Sequence, residues 1–378
     1  MHLERNKLKT PGRWVIKIGS AVLTNDGRGL DFDRIQDWVR DIAALQSQGY
    51  QILLVSSGAV AEGLVRLGWQ ERPKAIHALQ AAAAVGQTGL VQAYETEFAK
   101  YQIRTAQILL TAEDLSDRQS YLNARTTIQQ LIQLGIVPII NENDTVGTQE
   151  IRFGDNDTLA GLVCNLVEAD QLAILTDQDG LYNSDPRQNT DAKLVSLAKS
   201  GDKALESMAS SSAGALGRGG MVTKLRAAEL AARSGTDCLI ANGRYQGVIS
   251  HLAAGEDLGT LLTAGTTPVS ARKRWLAGKL KVKGKLILDD GAANVLRNSG
   301  RSLLPVGILR AEGSFIRGEL VSCISETGTE LARGLVNYNS EDITKICGRP
   351  SSAIMDILGY CDDEEVIHRD NLVLTQAG

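Results

Sequence analysis

One lysine sits inside an otherwise apolar run, Trp14-Val15-Ile16-Lys17-Ile18, that leads straight into Gly19-Ser20. In an open parallel sheet, ligands lie outside the carboxyl ends of the strands, so a cation there can meet an anion. An edge-strand lysine that snorkels outward is the competing reading. A second run, Val55-Ser56-Ser57-Gly58-Ala59, passes through small residues into a helix. Such a turn frees backbone N–H groups beside the positive end of the helix dipole, which favours an anion. A serine N-cap with a close-packing glycine would look the same.

The densest polar cluster begins with Asn141-Glu142-Asn143-Asp144, directly after the apolar run Ile136–Ile140. Ten residues later, Gly154-Asp155-Asn156-Asp157 opens a helix. Four carboxylates and three asparagines exceed what a single N-cap requires. An EF-hand fails, because Leu159 falls at the fifth ligand position and Leu166 at the bidentate glutamate. The cluster is suited to a small polar ligand bearing an ammonium group, with or without a metal nearby. Leu175-Thr176-Asp177 then runs from a strand into a polar turn, with either a structural or a binding role. Finally, Gly217-Arg218-Gly219-Gly220-Met221-Val222-Thr223-Lys224 leads bare backbone amides into a helix with Lys224 in its first turn. That combination suits phosphate, although a flexible surface loop is the alternative. It is no Walker A loop, since the second glycine counted from Gly217 would fall on Val222. Nor does G-x-G-x-x-G follow the first strand, because Gly19 precedes Ser20-Ala21. Two lysines in phosphate-capable positions, carboxylates between them and no activated nucleophile point to phosphoryl transfer. That chemistry needs positioning and charge neutralisation rather than covalent attack.

The elements that must hold these residues alternate along the first two thirds of the chain. Strands are predicted at Trp14–Ile18, Gln51–Val55, Arg104–Leu110, Ile136–Ile140, Gln171–Thr176 and Asp237–Ala241. Helices are predicted at Asp31–Gln48, Lys74–Tyr101, Asp117–Leu134, Asp157–Glu168 and Met221–Ser234. Continuous Val/Ile/Leu strands separated by helices indicate a parallel sheet covered on both faces. Residues 10–265 are therefore expected to form one α/β domain, followed by a linker at 266–275. Short β-like runs at Leu280–Val282, Leu286–Leu288, Gly307–Arg310, Glu319–Ser325 and Glu330–Val336, separated by Gly-rich turns, predict a small barrel over 276–366.

Composition narrows the class without naming a function. The 378 residues carry 40 basic and 44 acidic side chains, a net charge of −4, so no whole-protein footprint for nucleic acid exists. Apolar runs such as Ala81–Val85 are too short to span a bilayer, and Met1 to Lys9 lacks the apolar core of a signal peptide. A cytoplasmic protein without a membrane partner is expected. Cys164, Cys238, Cys323, Cys347 and Cys361 form no C-x-x-C pair and are read as free thiols. One asymmetry stands out: Leu258 to Leu288 holds no acid but seven bases, from Arg272 to Lys285.

The order of Val15–Ser20, Ser56–Ala59, Asn141–Asp144, Gly154–Asp157, Leu175–Asp177 and Gly219–Lys224 closely resembles the amino acid kinase family. The paired Asn-Glu-Asn-Asp and Gly-Asp-Asn-Asp segments resemble its glutamate-phosphorylating branch. The tail from Leu276 to Val366 is similar to a PUA domain, on Gly307-Ile308, Gly318-Glu319 and Gly334 to Asn339. The resemblance implies an α/β fold, an amino acid kinase-like αβα sandwich with a mainly parallel sheet, plus a small β-barrel PUA-like C-terminal domain. It implies transfer of the ATP γ-phosphoryl group to the side-chain carboxylate of L-glutamate, the first step of proline biosynthesis. Lys17 and Lys224 would then neutralise the transferred phosphoryl group, with Asp157 holding both. Ser57, Gly58, Asn141, Asp144 and Asn156 would bind glutamate, Asp144 facing its α-ammonium. Lys17, Thr176, Asp177 and the run Arg218, Gly219, Gly220, Met221, Val222, Thr223 and Lys224 would hold ATP. Mg²⁺ would bridge the phosphates largely through water, and no protein ligand is assigned to it. Arg218 departs from the pattern, standing where a small or hydroxylated residue is expected. The resemblance also suggests a dimer or tetramer, proline as a feedback inhibitor and a glutamyl phosphate reductase as partner. Two other readings stay open from the residues: a kinase for another carboxylate, and an RNA-binding protein using the basic stretch. RNA binding is not expected as the main role, since the tail from Leu276 to Gly378 has 12 bases against 14 acids.

Overall fold

The computed structural model describes residues 2–24, 29–147, 156–211, 220–266, 282–299, 301–361 and 363–375. The chain divides into two compact units, Met1–Pro268 and Val269–Gly378. Arg218, Gly219, Asp155 and most of the basic stretch 272–285 lie outside the described residues.

The first unit is built on an eight-stranded sheet. Its strands are β1 (Arg13–Ile18), β2 (Gln51–Ser56), β3 (Thr105–Leu110), β4 (Val137–Glu142), β5 (Gln171–Thr176), β6 (Leu197–Lys199), β7 (Asp237–Asn242) and β8 (Thr260–Thr263). Their spatial order is β3-β4-β2-β1-β5-β7-β8-β6. All neighbours pair in parallel except β7 with β8. The six strands read from apolar runs are all present. The short β6 and β8 are additions, too brief to give a periodic signal.

Successive residues of a strand point to opposite faces, and each face has its own core. Trp14, Ile16, Ile18, Leu54 and Ile139 join one cluster, with Leu90, Tyr94 and Phe98 of the helix Ile76–Ala99. Val15, Leu53, Val55 and Ile140 join the other, with Val163 of the helix Asp157–Val167 and Leu225 and Ala228 of the helix Met221–Ala232. The result is an αβα sandwich, and the strand parity decides which layer each polar side chain joins.

Helix ends follow local chemistry. Asp31 and Asp117 accept hydrogen bonds from the backbone N–H groups of Arg34 and Ser120, capping the helices Phe32–Ser47 and Arg118–Gln133. The helix Ala59–Arg66 starts at Gly58, whose φ of +94° is a left-handed conformation that a side chain would strain. This helix packs backbone to backbone on Ile76–Ala99, because a Cβ on Gly63 or Gly86 would land inside the facing main chain.

The second unit holds a five-stranded sheet of β9 (Gly284–Leu288), β10 (Ile308–Gly313), β11 (Leu320–Ser325), β12 (Glu330–Leu335) and β13 (Leu372–Leu374), in the order β10-β9-β11-β12-β13. Leu286, Leu288, Val321, Cys323 and Ala332 form its core with Leu296, Ile343 and Ile346 from the helices Asp290–Ser299 and Ser340–Ile346. These helices are short, ten and seven residues, and add to the β-like runs that the sequence of the tail predicts. Of the predicted run Leu280–Val282 only Val282 is described, and it is not in a strand.

The close approach at Gly86 gives a stability prediction. Gly86→Val must push the two helices apart, at a cost on the order of 1–3 kcal/mol for overpacking. Denaturant unfolding should show a lower midpoint with an unchanged slope.

Candidate active site

Lys17 has the parity of Val15, so its side chain enters the layer of the helices Asp157–Val167 and Met221–Ala232. There the Lys17 ammonium lies 2.5 Å from Asp157 Oδ1, and the Lys224 ammonium lies 3.1 Å from Asp157 Oδ2. The hydroxyl of Thr223 is 2.8 Å from the same Oδ2. Asp157 is fully buried, and Lys17 and Lys224 are only 2% and 7% exposed. Two cations thus meet on the two oxygens of one carboxylate at the ends of the strands. Gly161 makes this meeting possible: a Cβ there would come 2.8 Å from the backbone oxygen of Ala227, so the two helices touch one turn beyond the ion pair. Gly220, exposed with open space around it, begins the helix carrying Met221, Val222, Thr223 and Lys224.

The opposite layer carries a hydrogen-bonded amide chain. Asn141 has the parity of Val137 and Ile139, and so faces the helix Ile76–Ala99. Its Nδ2 donates to Gln87 Oε1 at 2.7 Å, while its Oδ1 accepts from the Glu142 backbone N–H at 2.9 Å. Asn156 Nδ2 donates to Asn141 Oδ1 at 2.7 Å and to the backbone oxygen of Ser56 at 2.6 Å. Asn156 occupies the N-cap position of the helix Asp157–Val167 but makes no capping bond with its side chain. Its amide serves the site instead. Consecutive residues, Asn156 and Asp157, therefore tie the amide chain to the lysine pair.

Ser57, at the end of β2, is buried, and its Oγ has no hydrogen-bond partner among the described residues. Gly58 follows it in the left-handed turn. Glu142 and Asp144 are both buried at the end of β4. Burial, reinforced by the nearby Asp144 and Asp114 charges, pushes the Glu142 carboxyl up to about 7, against a hydrogen bond from the Ala112 backbone. Burial raises Asp144 to about 6, against the pull of Arg72. Two carboxylates whose ionised forms are disfavoured make a place for a ligand cation. Thr176, buried at the end of β5, donates to the exposed Asp177 at 3.2 Å. The backbone N–H of Gly19 bonds Leu175 O at 3.1 Å, so the ends of β1 and β5 lie side by side.

Gln87 and Gly161 are the site residues that the sequence does not single out; Ser56 lies in a run it does mark, but its bonds to Asn156 and Tyr94 are not legible there. Gln87 sits in an alanine-rich helix as one of several scattered polar side chains, with nothing local to mark it out. Gly161 looks like an ordinary helix interruption. Neither has a signal that precedes knowledge of its tertiary neighbour.

The amino acid kinase family model matches residues 12–242, and a PUA domain model matches residues 284–358. The chain belongs to the amino acid kinase family. It is 60% identical to a glutamate 5-kinase of Saccharophagus degradans over 371 residues, 98% of this chain and 99% of that protein. A glutamate 5-kinase of Hahella chejuensis is also 60% identical, over 98% of this chain and 96% of its own length. One from Pseudomonas paraeruginosa is 58% identical, over 98% and 100%. The match to glutamate 5-kinases therefore spans both units rather than the kinase-type unit alone. Among the described residues no helix is long and apolar enough to cross a membrane.

The raised carboxyl of Glu142 predicts a pH-dependent stability. An acid whose folded pKa lies above its unfolded value favours folding when protonated, and that advantage is lost as pH rises through about 7. Glu142→Gln should therefore melt higher than the parent at about pH 8, with the gap closing toward about pH 5.5. Thermal melts across that range check it.

Proposed function

We propose that this chain transfers the γ-phosphoryl group of ATP to the side-chain carboxylate of L-glutamate, giving L-glutamyl 5-phosphate and ADP. The observation that carries the reading is Asp157 bridging Lys17 and Lys224 beside the amide chain of Asn141 and Asn156. In the reaction a carboxylate oxygen of glutamate forms a bond to the γ-phosphorus, and the bond from that phosphorus to the β–γ bridging oxygen breaks. The nucleophile is already ionised at neutral pH, so no general base is needed. The obstacle is electrostatic, since an anion must approach a polyanion while charge spreads over the phosphoryl oxygens. Lys17 and Lys224, aimed by Asp157, supply that neutralisation from fixed positions.

On the acceptor side, Ser57, Gly58, Asn141, Asp144 and Asn156 bind glutamate. Asp144, helped by Glu142, faces the α-ammonium. On the nucleotide side, Thr176, Asp177 and the segment Arg218–Lys224 hold ATP, with the start of the helix Met221–Ala232 directed at its phosphates. Mg²⁺ is carried by the nucleotide phosphates and water, with no protein ligand assigned to it. Such an ion would supply further neutralisation of the phosphates. We assign residues 10–265 to the kinase domain, 266–275 to a linker and 276–366 to the PUA-like domain. From the family resemblance alone we also propose a cytoplasmic homo-oligomer, inhibition by proline and hand-over of the fragile acyl phosphate to a reductase.

An ADP-release assay over a panel of amino acids and small carboxylates tests the reading. L-Glutamate should lead, and Lys17→Met and Lys224→Met should each lower kcat by about 100-fold or more while the melting transition persists. Another leading acceptor, or near-normal kcat in both variants, overturns it. The pH dependence of affinity carries a sign as well. An ammonium favours ionised carboxylates, so glutamate binding draws Glu142 and Asp144 into their charged forms. KM for L-glutamate should rise as pH falls through about 7 and about 6, and Glu142→Gln should flatten the upper part of that rise.

A further inference from the structure

The long helix Ile76–Ala99 presents a polar stripe toward the acceptor side of the site. Gln80, Gln87 and Tyr94 are spaced by seven residues, two helical turns, and so lie on one face. Each bonds a different part of the strand ends. Gln80 Nε2 donates to the backbone oxygen of Thr145 at 3.2 Å, and Tyr94 OH lies 3.2 Å from Ser56 Oγ. Between them, Gln87 Oε1 accepts from Asn141 Nδ2 at 2.7 Å.

The orientation of the amide chain follows from groups that can act in only one way. The Glu142 N–H can only donate, so Asn141 turns its oxygen to it and its Nδ2 toward Gln87. The Ser56 carbonyl can only accept, so Asn156 turns its Nδ2 inward to Ser56 and Asn141. Asn156 Oδ1 is left buried without a hydrogen-bond partner among the described residues, as are Ser57 Oγ and Gln87 Nε2. Native interiors leave few such atoms, and a group of them at one set of strand ends calls for a ligand to fill it.

We propose that Gln87 is a positioning residue that sets acceptor specificity. Through Asn141 it holds Asn156 with Oδ1 turned to the α-ammonium of an amino acid acceptor. The proposal rests on the amino acid acceptor proposed above. An acceptor with that ammonium satisfies the buried oxygen, whereas a dicarboxylate without it leaves the oxygen unpaired. A site built to hydrogen-bond a substrate group rejects analogues lacking it for that reason.

The experiment compares L-glutamate with glutarate, by turnover or by inhibition constant, and measures KM for MgATP in parallel. Gln87→Met keeps length and bulk but removes the oxygen that receives Asn141. It should raise KM for L-glutamate and lower the glutamate-to-glutarate preference by roughly tenfold, leaving KM for MgATP unchanged. Gln87→Glu keeps an oxygen in that place and should retain most of the preference. An unchanged preference in Gln87→Met, a parallel rise in both KM values, or a loss in Gln87→Glu as complete as in Gln87→Met overturns the proposal. If Gln87→Met does not fold, Gln87→Ala, which removes the same oxygen, takes its place with the same expected and overturning outcomes. A parent enzyme that does not distinguish glutamate from glutarate would instead overturn the acceptor assignment, whatever Gln87 does.

Discussion

Everything at the centre of the kinase-type unit depends on one fully buried carboxylate. Asp157 receives Lys17 from β1 on one oxygen, and Lys224 and Thr223 on the other. Ions in a low-dielectric interior are expensive, and removing one partner leaves the others buried with less compensation. Such a cluster is weak evidence for stability and good evidence for a fixed geometry. Its members come from a strand and two different helices, so the helix packing must be right before the charges can meet. Gly161 against the Ala227 backbone provides that fit.

The two layers of the sandwich divide the labour. On one side of the sheet, the parity of Lys17 sends its charge toward the helices that carry Asp157 and Lys224. On the other, Ser56 and Asn141 face the helix Ile76–Ala99 and bond to Tyr94 and Gln87. Asn156 and Asp157, adjacent in the chain, connect the two at the strand ends. On the proposed reading this places the acceptor and the phosphoryl donor on opposite layers, meeting where the sheet stops.

The acceptor side carries energetic costs that the fold alone does not explain. Glu142 and Asp144 are buried with their carboxyl groups raised to about 7 and about 6, and Ser57 and Asn156 hold buried polar atoms without partners. Departures from internal consistency cluster at functional sites, because a pocket prepared for a charged ligand is unsatisfied until the ligand arrives. A cation beside the carboxylates and a donor on the amide oxygen would relieve these costs together.

Much of this was legible in the chain. Lys17 stood out as a charge within an apolar strand, and the glycine-rich approach to Lys224 marked a helix start open to anions. The polar run Asn141–Asp144 and the pair Asn156-Asp157 marked a ligand site, because their number exceeds any capping need. Long strands and amphipathic helices were readable because burial imposes a period of 2 or 3.6 on local sequence. What only the tertiary structure decided is who meets whom. That one carboxylate serves both lysines, that Asn156 abandons capping to bond Ser56 and Asn141, and that Gln87 backs the amide chain are all long-range facts. Sequence periodicity assigns a residue to a face. The partner across that face is set by which helices can approach closely, and by backbone groups whose fixed role as donor or acceptor orients each amide.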